Sequence, residues 1–166
     1  APKSEKAWMS DQTPESLIYD GEMCDMCTEP LNAYFRMIGV KPNFEWPHSG
    51  CIRGYEGTWE ISDGKLYLIQ LSGITKAGET VNLETLFPGF PERVFADWYT
   101  GTARLPQGEM LEYIQGSYAS IYERDLFIEF AKGVVTHTYT RENVAASKKA
   151  SWGILSKLWY AFNSGY

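Results

Sequence analysis

The run Tyr55-Glu56-Gly57-Thr58-Trp59-Glu60-Ile61-Ser62-Asp63-Gly64-Lys65-Leu66-Tyr67-Leu68-Ile69-Gln70-Leu71 decides the fold class. In its first half the apolar residues Tyr55, Trp59 and Ile61 fall on odd positions, the two-residue period of a strand with one buried face. Ser62-Asp63-Gly64-Lys65 follows. Asp-Gly between alternating runs is the composition of a type I′ turn, whose two central residues both need positive φ. The returning run Leu66–Leu71 is almost wholly apolar. It predicts burial on both faces, or on one face with an aromatic ring on the other. The unit is an antiparallel hairpin.

Working outward toward the C-terminus, Glu92–Tyr99 reads as a strand, and Gly101–Pro106 as an edge strand stopped by its proline. Glu109–Ile114, bracketed by Gly108 and Gly116, reads as another strand. A second hairpin is predicted from Ile121–Phe130 and Val134–Tyr139 around Ala131-Lys132-Gly133, with Leu126, Ile128 and Phe130 on one face and Phe127 and Glu129 on the other. Toward the N-terminus the period changes. Thr28 suits a helix cap and Pro30 its first turn; Leu31, Tyr34, Phe35 and Ile38 recur at helical spacing, and Gly39 suits the C-terminal cap.

Three segments result. Residues 1–20 form an acidic N-terminal arm that docks late in its length, through Leu17, Ile18 and Tyr19. Residues 21–146 form a β-rich core. Residues 147–166 form an amphipathic helix with Trp152, Leu155, Trp159 and Phe162 on one stripe, packed on the core or on a second subunit. The fold class expected is α+β: a mostly antiparallel curved sheet, half-barrel or sandwich, with a short N-terminal helix and a C-terminal amphipathic helix.

A chain of 166 residues is one domain's worth, and 44% hydrophobic against 22% charged residues excludes a disordered chain. No apolar run is long enough for a membrane-spanning helix. The formal net charge of −6 opposes a general affinity for nucleic acid. Neither a membrane nor a nucleic acid is expected as a partner. The first thirty residues set two lysines against seven carboxylates, while residues 141–166 set four cations against one. Such ends attract weakly at cellular salt and are expected to be solvated. Three cysteines without a disulfide framework, and a first stretch with no apolar core, point to the cytoplasm.

Several residue groups invite chemical readings. Cys24-Asp25-Met26-Cys27 and His48-Ser49-Gly50-Cys51 form two chelating pairs, as a tetrahedral zinc site requires. Against zinc, a helix begins at Thr28 inside the would-be loop, and two small buried thiols beside a surface histidine is the plainer reading. No cofactor is therefore expected, with zinc on Cys24, Cys27, His48 and Cys51 as the exception that would make an adaptor. Asp25 and Glu29 around Cys27 oppose a reactive thiolate. Asp97, Glu60 and Glu123 each adjoin an aromatic residue, and two such acids across a groove would suit a small hydrolase. The same alternation is also that of an ordinary half-exposed strand. No nucleophile elbow, P-loop or dinucleotide fingerprint is present.

Aromatic residues make up 15% of the chain. Tyr55, Trp98, Tyr99, Tyr118 and Tyr122 are candidates to line a concave pocket, with Arg53 and Arg104 as charged handles for an acidic or planar ligand. On strand alternation Asp97 and Tyr99 share a face, which makes Arg53 a candidate ion-pair partner of Asp97.

The blocks Arg53–Ile61, Asp63–Leu68, Phe95–Gly101, Leu105–Gly108 and Ile121–Leu126 together resemble a family of small uncharacterised bacterial proteins, often of the kind carried on mobile gene cassettes. The resemblance spans residues 24–140 and implies no particular activity. The expected function is accordingly a non-enzymatic binding or interaction protein with an aromatic-rich cleft or interface, for a small molecule or a protein partner, possible as a homodimer. The alternatives are the paired-carboxylate hydrolase and the zinc-stabilised adaptor.

Overall fold

A computed structural model describes residues 12–144. Its elements, in chain order, are β1 (Glu15–Tyr19), β2 (Glu22–Met26), α1 (Pro30–Ile38), β3 (Tyr55–Ser62), β4 (Lys65–Ile74), β5 (Thr80–Asn82), α2 (Leu83–Leu86), β6 (Val94–Phe95), β7 (Gly101–Glu112), β8 (Ile121–Ala131) and β9 (Val134–Glu142). The fold is α+β and dominated by one open mixed sheet, in the order β2-β1-β3-β4-β9-β8-β7. Among the described residues no helix is long and apolar enough to cross a membrane.

Asp63 and Gly64 take φ of 49° and 70°, so the predicted two-residue turn forms and joins β3 to β4. The register shifts between Thr58 and Trp59, leaving Ile69 as an extra residue on β4. That bulge reverses the parity of β4: Leu66 and Leu68 are buried before it and Leu71 after it, while Gln70 faces solvent. The second hairpin also forms, with Lys132 and Gly133 at positive φ between β8 and β9. Ile128 and Phe130 lie in the core, and Leu126 packs against it.

The segment read as an arm enters the sheet at its late end. Residues 15–19 are β1, which pairs with β2 antiparallel and with β3 parallel, Leu17 lying opposite Trp59. The β1–β2 turn is a second Asp-Gly pair, Asp20 and Gly21, again with positive φ at both residues. Residues 1–11 of the arm and the helix read over 147–166 lie outside the described residues. α1 runs from Pro30 to Ile38, and Gly39 ends it in the left-handed conformation, its N–H donating to Phe35 O.

Three strand readings need correction. Glu92–Tyr99 is not one strand. Only Val94–Phe95 pairs, against Tyr67 and Leu68; the chain then turns, with Asp97 N donating to Phe95 O and Tyr99 N to Ala96 O. The turn leaves Asp97 exposed and Tyr99 buried, so the two do not share a face. Pro106 does not stop its strand either. β7 runs on to Glu112, with Pro106 opposite Asp125. β7 ends the strand order, and an edge tolerates a residue with no N–H to donate. The segment read as a separate strand from Glu109 continues β7 past a bulge at Gly108, whose φ is 80°.

α1 covers one face of the sheet with rings. Phe35 packs on Phe44 and Tyr55, and Tyr34 on Phe87 and Trp98. Where β2 ends, Cys27 N donates to Arg104 O, and Arg104 N donates to Thr28 Oγ1. These bonds bring the chain after β2 against β7, next to the loop that joins β7 to β8.

Candidate binding site

The site begins with an acidic side chain where the sheet should be apolar. Glu15 opens β1 on the same face as Leu17, and its side chain is wholly buried. Gly57 on β3 makes the room: a Cβ there would lie 2.6 Å from Glu15 Oε1. Trp59 Nε1 donates to Glu15 Oε2 at 3.1 Å. Arg53 Nε stands 3.8 Å from Oε1, beyond hydrogen-bond length, and both atoms are buried without a hydrogen-bond partner among the described residues. Burial raises the Glu15 carboxyl to about 8, with the Arg53 charge opposing the rise.

Arg53 is fixed from its other side. Its Nη1 donates to Thr13 O at 2.6 Å and to Tyr118 Oη at 3.3 Å, and lies 3.9 Å from Glu29 Oε1. The guanidinium also sits 5.7 Å from the centre of the Tyr55 ring. Tyr55 Oη donates to Asn32 Oδ1 at 2.9 Å, and burial raises the Tyr55 phenol strongly.

Arg104 on β7 is the second fixed cation. Its Nε donates to Asp125 Oδ1 at 2.8 Å, its Nη1 to Tyr118 O at 2.6 Å and its Nη2 to Ser120 O at 3.1 Å. Asp125 is buried, and its other oxygen accepts from Asn143 Nδ2 at 2.8 Å and Arg141 Nη2 at 3.4 Å. Tyr118 is therefore held at its carbonyl by Arg104 and at its hydroxyl by Arg53. It takes φ of 59°, a left-handed conformation that a bulky residue adopts only under such constraint.

Between this loop and the chain before β1 lies a cavity of about 120 Å³. Pro14, Met110, Tyr118 and Tyr122 give it apolar and aromatic walls; Gln12, Cys27 and Arg104 supply polar atoms. Gln12 is buried. Its Oε1 accepts from Ile52 N at 3.3 Å, while its Nε2 has no hydrogen-bond partner among the described residues. Burial pushes the Cys27 thiol up to about 11, so this sulfur is protonated and a poor nucleophile at neutral pH.

Of the predicted pocket residues, Arg104, Tyr118 and Tyr122 line this cavity; Arg53 and Tyr55 stand behind Tyr118. Trp98 and Tyr99 are elsewhere. Trp98 stacks on Phe87 and donates to Pro30 O, and Tyr99 packs on Phe130. The expected Asp97–Arg53 pair does not form: Arg53 faces Glu15 and Glu29, and Asp97 projects from its turn into solvent. The three candidate carboxylates are dispersed, Glu60 on β3, Asp97 after β6 and Glu123 on β8 beside Arg124.

The four cysteine and histidine residues do not gather at one point, although Cys51 N donates to His48 O in a shared turn. Cys24 is on β2 and Cys27 is on the cavity wall. Cys51 is buried and donates to Tyr55 O, and exposed His48 lies 3.8 Å from Glu56. Among the described residues no three of His, Cys, Asp and Glu are grouped so as to hold a metal ion. Gln12, Glu15 and Asp125 are site residues that the sequence reading passed over. One signal was present: Glu15 shares the two-residue period of Leu17 and Tyr19, a charge on a face otherwise apolar. A scan of family models, curated proteins and solved structures finds none that matches this chain.

Proposed function

We propose that the protein is a non-enzymatic binding protein, and that the cavity between Gln12 and Tyr118 receives a single planar ring carrying a carbonyl or carboxylate oxygen. The observation that carries this reading is Gln12, which lines a cavity with mainly apolar and aromatic walls and whose buried amide donor has no hydrogen-bond partner among the described residues. An unmatched buried donor is unfavourable by about 1–3 kcal/mol, and a ligand acceptor removes that penalty. The cavity's volume of about 120 Å³ suits a ligand of one ring; an apolar cavity of roughly 150 Å³ takes up benzene. Tyr118 and Tyr122 offer ring contact at low cost in side-chain entropy. The protonated Cys27 and the dispersed carboxylates favour binding over turnover.

The test is ligand-observed NMR with benzamide, benzoate and benzene. Benzamide or benzoate is expected to bind saturably, with benzene weaker, and Gln12→Leu is expected to lower the affinity about tenfold, the worth of one hydrogen bond. Met110→Trp, at an exposed lining position, fills the cavity and is expected to abolish binding. Absence of binding, or affinity unchanged in both variants, overturns the reading.

A further inference from the structure

A second concave surface shares no lining residue with the cavity at Gln12. The loop between α1 and β3 runs past the end of β4, where Phe44 is fixed by an isolated bridge to Thr75 and by Glu45 N donating to Ile74 O. Phe44 is buried against the backbone of two glycines. A Cβ on Gly54 would lie 2.3 Å from Phe44 Cβ, and one on Gly73 would lie 2.7 Å from its ring. These glycines let the loop lie flat on β3 and β4, and they leave a groove of about 300 Å³ floored in part by backbone.

Three features of the groove's lining stand together. Trp46 is 60% exposed and Ile74 54%, both on its wall, where burial of such side chains is the norm. Glu45 and Glu56 supply two carboxylates. Neither carboxylate is neutralised by a lysine or arginine among the described residues; Glu56 has only His48, at 3.8 Å, and Glu45 has no ion pair. An exposed indole beside two carboxylates that no lysine or arginine among the described residues pairs with suits an organic cation. An organic ammonium ion gains from the ring's negative face, and its charge offsets the carboxylates. The volume exceeds that of an ammonium head alone, and Pro47 and Ile74 give an attached carbon chain an apolar wall.

We infer that this groove is a binding site for a small organic ammonium compound, with Trp46 as the aromatic platform and Glu45 and Glu56 as the counter-charge. The Trp46 indole N–H resonance reports binding directly. The probes are choline and its uncharged isostere 3,3-dimethylbutan-1-ol, with glucose as the control for a sugar site. Choline is expected to shift the Trp46 signal saturably. The isostere is expected to bind at least tenfold more weakly, and raised salt to weaken choline alone. Glu56→Gln is expected to reduce choline affinity several-fold and Trp46→Ala to remove it. Both residues are exposed, so both variants keep the fold, which far-UV circular dichroism verifies. Equal affinity for choline and its isostere, undiminished binding in Trp46→Ala, or a shift with glucose in place of choline each overturns the assignment. None of these outcomes bears on the Gln12 cavity.

Discussion

Two arginines meet the same tyrosine, and each faces a buried carboxylate, yet their surroundings differ. Arg104 contacts Asp125 at 2.8 Å, and the two Asp125 oxygens together accept from Arg104, Arg141 and Asn143. Arg53 approaches Glu15 only to 3.8 Å, and the two facing atoms both lack hydrogen-bond partners among the described residues. The first cluster is an ion pair whose desolvation is offset by short charge-assisted bonds. In the second, burial outweighs the arginine, and the carboxyl holds its proton up to about pH 8. Proximity of opposite charges does not by itself make an ion pair. At Glu15 the burial of the carboxyl outweighs the charge beside it.

The largest expected effect comes from breaking the satisfied cluster. Asp125→Ala removes the carboxylate that Arg104 Nε, Arg141 and Asn143 share, leaving the Arg104 charge without its counter-ion. A loss of about 3 kcal/mol is expected, the usual penalty for removing one partner of a buried pair, measured by urea unfolding at pH 7. Of comparable size is a pH effect at Glu15. Its folded pKa lies above the ordinary value of 4.5, so the folded state holds a proton that the unfolded state releases. The wild type is thus expected to show no penalty from this group below about pH 4.5. It then loses stability progressively as pH rises to about 8, by on the order of a few kcal/mol, and is level beyond. The stability difference between wild type and Glu15→Gln isolates this slope, because the variant has no such proton. The smallest effect is Glu15→Gln itself at pH 5, where the glutamine carbonyl still accepts from Trp59 Nε1. A change under about 1 kcal/mol is expected there; a loss matching that of Asp125→Ala would mean that Glu15 is charged in the folded protein.

Both hairpins of the middle and late chain were legible because Asp63-Gly64 and Lys132-Gly133 sit between runs of strand period. Asp20-Gly21 carries the same turn chemistry, but Leu17, Ile18 and Tyr19 before it are too short a run, broken by the charge of Glu15, to announce a strand. Glu92–Tyr99 alternates like a strand and mostly is not one, because the turns at Asp97 and Tyr99 leave β6 only two paired residues. Pro106 was overread: its missing donor matters only where a neighbour needs it, and strand order is not written in local sequence. Arg53, Arg104, Tyr118 and Tyr122 were legible as a set by residue type. Their arrangement was not, since it depends on the left-handed backbone of Tyr118 and on a strand at residues 15–19. Gln12, Glu15 and Asp125 escaped for a single reason: polar residues are read as solvated until a fold buries them.

The parallel alignment of β1 with β3 bears on the order in which the chain acquires its structure. β1 can close its Asp20-Gly21 hairpin as soon as β2 exists, but its other neighbour arrives some forty positions later, after α1 and a long loop. Non-local strand pairing of this kind is slow relative to hairpin closure. Until β3 docks, Glu15 has neither the indole of Trp59 nor the vacant space beside Gly57, and its carboxylate stays hydrated. Assembly of the sheet's centre and uptake of a proton by Glu15 are then one event, so the rate at which the native sheet closes should depend on the acidity of the solution.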